Sequence, residues 1–198
     1  MKRGRTTTPE PPTAAPVARL AGRLLPALLM AVSVTTAADP ARAACSDAAA
    51  PGVEWRRCLL DGADLSDTDL SGADLRDTSF KRADLSGANL VQADARRAKF
   101  VSARLVGATL DGADFTFGDL TSADLTGASL RNASLRRSKL FRAKLRDADL
   151  SGVIMEGADL LYVDLSGATW IDGKTVCAEG SVGRCHAQPQ KSSADLGG

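Results

Sequence analysis

Residues 71–90 read "SGADLRDTSFKRADLSGANL", with Leu or Phe at every fifth position and Ala or Thr two places before each. From Leu65 to Trp170 the large position is Leu, Phe, Met or Trp at every fifth step except Ala95, and no insertion interrupts it. Cys58 and Leu60 carry the register one unit further back. On an α-helix, a step of five turns the chain about 140° past a full turn, so these side chains would scatter around the cylinder. On a continuous strand an odd step sends them to alternate faces. A very short strand followed by a corner satisfies the period: the small residue and the Leu, two apart, point the same way, and the next two residues turn the chain. Pairs such as Ser71-Gly72, Ser86-Gly87, Asp111-Gly112 and Ser166-Gly167 suit those corners. The chain winds into a coil with every Leu inside, and each turn buries its apolar side chains only by stacking on the next.

"ADLSG", "ANLVQ", "ADLRD", "ADLTG" and "ADLLY" resemble the pentapeptide repeat family, whose motif is A(D/N)LXX, over Cys58 to Trp170. The resemblance implies an all-β fold, a right-handed four-sided parallel β-helix with short caps. The sequence gives some support for four sides. Around the outward basic residues Lys99, Arg104, Lys139 and Lys144, seven of eight neighbours twenty residues away are Asp, against five of eight at fifteen.

The expected organisation is a signal peptide over 1–43, an N-terminal cap over 44–57, repeats over 58–170, and a disulfide cap with tail over 171–198. Residues 1–23 are basic and Pro/Thr-rich, "LLPALLMAVSV" is apolar, and Ala41-Arg42-Ala43 offers a small-residue cleavage signal. The apolar run from Leu24 to Ala38 contains Pro26 and, at about 15 residues, falls short of the roughly 20 that span a bilayer. No transmembrane segment is expected in the mature chain. Arg42 takes the place of the aliphatic residue that precedes an acylated cysteine. Secretion or periplasmic export follows. In such a compartment an even number of cysteines pairs. Here Cys45 and Cys58 precede the repeats and Cys177 and Cys185 follow them, so pairing is local to each end of the rod. A zinc site is the alternative suggested by His186, but no Cys-x-x-Cys spacing is present and ligands at opposite ends cannot converge. Trp55 and Trp170 are expected as lids. These flanks resemble those of exported bacterial pentapeptide repeat proteins.

No catalytic constellation is expected, nor a metal or cofactor. His186 is the one histidine of 198 residues, and a coil packed with Leu offers no pocket for paired carboxylates. Two outer features remain. Arg96, Arg97, Lys99 and Arg104 recur forty residues later as Arg136, Arg137, Lys139 and Lys144, with Asp119 and Asp124 between. They form either an anion-binding face or a ladder of alternating charge, and the interleaved Asp favours the ladder. Val101, Thr121, Phe141 and Leu161 form a stripe, with Tyr162 beside it and Phe117 at the preceding corner. This is a candidate interface for a protein partner, an envelope component or a second copy, unless the C-terminal segment folds back over Leu161 and Ile171. The resemblance also implies the alternative of a DNA-mimicking protein that binds gyrase. The export signal opposes it, as does the balance of 18 acidic against 14 basic residues from Cys58 to Asp172, a net of −4. No nucleic-acid partner is expected. The expected function is a non-catalytic structural or protein-binding module.

Overall fold

The computed structural model describes residues 45–187. The expected signal peptide over 1–43, with its Ala41-Arg42-Ala43 site, and the tail beyond Ala187 lie outside the described residues. From Pro51 to Trp170 the chain repeats a two-residue turn and a one-residue bridge every five residues, giving twenty-four units. Every parallel bridge joins residues twenty apart, so four units close one coil and the twenty-four make six. The fold is a right-handed, four-sided parallel β-helix. Side one carries Glu54, Asp74, Asp94, Asp114, Ser134 and Ile154; side two carries Leu59, Ser79, Lys99, Asp119, Lys139 and Asp159. Side three runs from Asp64 to Asp164 and side four from Asp69 to Thr169.

The backbone ladder shows why a step of five suffices. The Trp55 N–H donates to the Asp74 carbonyl at 2.9 Å and the Asp74 N–H returns to the Val53 carbonyl at 2.9 Å, a pattern repeated up each side. The small residue's N–H bonds back across the corner, as Thr78 to the Leu75 carbonyl at 3.1 Å. Inside, the large column from Leu70 to Leu150 and the small column from Ala73 to Ala148 are buried. Ala95, the exception in the Leu column, sits one coil below Phe115 and beside Phe100, whose rings meet edge to face at 5.6 Å. Phe100 also stacks on Phe80 at 5.0 Å. The small side chain makes room for a cluster of three rings.

The coil starts earlier than the sequence register indicates. Val53 and Trp55 are buried in the first inward slots, and Glu54 bridges Asp74, so residues 51–57 belong to the coil rather than to a separate cap. Trp55 is thus a core residue of the first coil; its carbonyl accepts a hydrogen bond from the Thr78 hydroxyl and its indole N–H donates to the Asp47 carbonyl at 3.3 Å. The disulfides join Cys45 to Cys58 and Cys177 to Cys185. At the C-terminal end, Val182 and Val176 bridge antiparallel to Asp164 and Thr169, which covers the last strands of sides three and four. The cap's Gly183 N–H donates to the Val163 carbonyl at 2.8 Å, yet Leu161 and Ile171 stay 54% and 41% exposed. The described part of the C-terminal segment therefore does not fold over the apolar stripe.

Candidate binding surface

The outward Asp before each Leu has a local task. Asp84 accepts the Ser86 N–H at 3.0 Å and its hydroxyl at 2.6 Å, and Asp124 treats Thr126 in the same way. This is the Asx-type bond that fixes a corner. It accounts for the sequence "ADLS". Among the described residues no group of His, Cys, Asp and Glu is placed to hold a metal ion.

The second residue of each corner is left-handed. Gly serves at many corners, such as Gly72 (φ 64°) and Gly127 (φ 66°), but Phe117 (φ 61°), Arg137 (φ 52°), Arg142 (φ 58°) and Tyr162 (φ 61°) hold the same conformation. A bulky L-residue there carries a conformational cost that glycine avoids. All four lie on the two corners that flank side two. Those corner columns together hold ten Lys or Arg against three carboxylates, whereas the columns flanking side four hold two against four. The exposed aromatic side chains share the basic edge: Phe117 is 51% exposed, Tyr162 58%, and the half-buried Phe141 meets Tyr162 edge to face at 5.6 Å.

The candidate residues separate by height. Low on the coil, a ladder of alternating charge forms. Arg96 is held by Asp94 at 2.6 Å, Arg97 by Asp77 at 2.7 Å, and Arg104 by Asp84 at 3.4 Å; Lys144, higher on side three, is held by Asp124 at 3.1 Å. Arg76 and Arg56 extend this ladder at Asp74, which the hydrogen bond from Arg76 holds below the usual carboxylate range. Higher up, Arg137 lies over Phe117 at 5.5 Å and Arg142 over Phe141 at 5.1 Å. Arg136 reaches Glu156 at 3.7 Å, and with Thr116, Phe117 and Arg137 they line a shallow cleft of about 180 Å³. Lys99 and Lys139 stand on side two itself, two coils apart. Apart from Arg104 and Lys144 on side three, the basic clusters share the side-two edge with the apolar stripe, from which they are separate in sequence. Sequence reasoning missed Arg142, Arg56 and Arg76. A step of twenty would have found Arg56 and Arg76 in the column of Arg96, and Arg142 at the corner beside Phe141.

Pentapeptide repeats match residues 41–77, 78–116, 119–157 and 135–169, well over half of the chain. The chain belongs to the pentapeptide repeat family. Among solved structures, this pentapeptide repeat protein is similar to Rfr23 of the cyanobacterium Cyanothece 51142, at 29% identity over 59% of this chain and 90% of that one, with a TM-score of 0.48. It is also similar to HetL of Nostoc sp. strain PCC 7120, a protein involved in heterocyst differentiation regulation, at 30% identity over 61% and 67% of the two chains, with a TM-score of 0.41. QnrB1, a plasmid-mediated fluoroquinolone resistance protein, is 25% identical over 61% and 71%, with a TM-score of 0.31. Comparison with curated proteins returns no match.

Proposed function

We propose that this pentapeptide repeat protein is an exported, non-catalytic binding module whose partner docks on side two and its two corners. The observation that carries the proposal is the set Phe117, Arg137, Arg142 and Tyr162. These large side chains stand in left-handed positions where glycine would be more comfortable, all on one edge, beside the stacked Phe141. The corners flanking side four also hold left-handed non-glycine residues, Asp67, Gln92, Asn132 and Asp147, but every Arg, Phe or Tyr in that conformation stands on the side-two corners. Bulky side chains kept in a costly conformation that the core does not need support a surface role. Tyr and Arg are also the residue types that dominate binding energy in interfaces. Export is supported by the signal-like residues 1–43 and by the two disulfides, which persist in oxidising compartments. The packed interior and the local roles of the outward Asp residues support a module without chemistry of its own.

The test is site-specific photo-cross-linking of the full chain in its own cells, with a benzoylphenylalanine at Thr121, beside side two, or at Ser129 on side four. A discrete adduct from Thr121 and none from Ser129 is expected. Equal labelling at both positions, or none at either, contradicts the proposal.

A further inference from the structure

Among the described residues, open cations occur along the whole side-two edge, Arg57, Lys81, Arg82 and Lys99 low on the coil among them, but only in its upper part are guanidinium groups laid on aromatic rings. Arg76, Arg96 and Arg97 are each tied to a carboxylate, whereas Arg137, Lys139 and Arg142 have no ion-pair partner among the described residues. Two of those three are guanidinium groups laid on rings. A cation held in this way keeps its charge and gives up little further side-chain freedom on taking an anion. Phe117 and Phe141 each carry a guanidinium on one face, and Phe141 also meets Tyr162 at its edge, so the rings support cations rather than present platforms for a sugar or a base. Asp119 and Asp159 bridge to Lys139 from below and above in the side-two column, and their charges repel a chain charged at every unit. Leu161 and Tyr162 add exposed apolar area at the next corner.

We propose that this surface takes an extended acidic polypeptide segment whose carboxylates are separated by apolar residues. Its Asp or Glu side chains meet Arg137, Lys139 and Arg142, and its apolar side chains lie on Phe141, Leu161 and Tyr162. Spaced carboxylates pass the two Asp residues of the column, while the open cations supply charge complementarity. The inference rests on the side-two reading and adds the chemistry of the partner.

Fluorescence anisotropy with the oxidised full chain tests it, using a labelled peptide that repeats Glu-Leu-Gly, its Gln-Leu-Gly counterpart, and dextran sulfate as competitor. The Glu peptide is expected to bind, to weaken with salt, and to lose on the order of tenfold or more in affinity when Arg137→Glu and Arg142→Glu are combined. The milder pair Arg137→Gln and Arg142→Gln, with a melting curve matching the parent, should show a smaller loss in the same direction. Failure of the Glu peptide to bind, equal binding of the Gln peptide, or indifference to both arginine pairs overturns the inference. Tighter, arginine-dependent binding of dextran sulfate also overturns it, in favour of a polyanion site. Such a failure with the Thr121 cross-link intact removes the acidic segment and keeps side two as the binding surface; absence of the cross-link removes the surface itself.

Discussion

Leu125 and Asp124 are adjacent in sequence and opposite in environment: one is fully buried in the Leu column, the other outward on side three, paired with Lys144 at 3.1 Å. Leu125→Lys should therefore unfold several coils, since an unpaired ammonium in a packed interior costs several kcal/mol. Asp124→Lys should cost about 1 kcal/mol or less, because exposed pairs contribute little. Thermal melting compares the two, and similar midpoints would reverse the inward and outward assignment. A second prediction follows from the corner geometry. Phe117→Gly and Tyr162→Gly relieve left-handed backbone at φ 61° and should leave the melting temperature unchanged or slightly raised while weakening partner binding, a trade of function for comfort. A clear loss of stability in either variant would show that the aromatic side chain supports the coil. The inward slots were legible because the period fixes them. The left-handed aromatics were not, since the register puts Thr116-Phe117 and Leu161-Tyr162 at corners without saying which residue of each pair takes the left-handed conformation.

At the scale of the corner and the cap, the sequence was legible wherever a small residue and Leu recur, and silent where they do not. Pro51 to Arg57 lacks the A(D/N)L motif, so the opening of the first coil resembles a cap in the sequence although Val53 and Trp55 fill its inward slots. The C-terminal cap was foreseeable as a disulfide hairpin, but its reach was not, because antiparallel bridges at Asp164 and Thr169 depend on where a loop without repeats turns back. The cap accepts the amides of Leu165, Gly167 and Trp170, at 2.8, 2.9 and 2.7 Å. Replacing Cys177 and Cys185 by Ser should raise hydrogen exchange at these amides and leave coils near Leu105 protected. The bond is expected to be worth about 2–3 kcal/mol to the cap, given its short loop. Unchanged exchange at Leu165 would mean that the hairpin holds without its bridge. The exported chain should also begin near Ala44 and titrate with no free thiol, as intact mass and thiol assay will show; two reactive thiols in folded, exported protein would contradict the pairing.

Across the whole coil, charge acts as a column property. Hydrogen bonds from Arg76 at Asp74, Arg97 at Asp77 and Ser86 at Asp84 hold these carboxyls below their ordinary range, and those from Thr175 bring Asp172 to about 2. A folded pKa below the unfolded value gives stability that is present above the unfolded value, about 3.9, and is lost as pH falls through the folded one. The melting temperature should therefore be nearly flat above about pH 5 and fall progressively between about pH 4 and 2; a rise on acidification would contradict the ladder. In the sequence the basic clusters and the stripe appeared as two features, because Phe117 and Arg137, like Phe141 and Tyr162, become neighbours only once a twenty-residue coil stacks them. The separation of an inner column that makes the fold from an outer edge that makes the contact is tested most directly by combining Phe117→Ser, Phe141→Ser and Tyr162→Ser and following circular dichroism together with the Thr121 photo-cross-link. The account predicts a β-helix spectrum and melting midpoint like those of the parent with the cross-link lost; a lowered midpoint with the cross-link retained would contradict it.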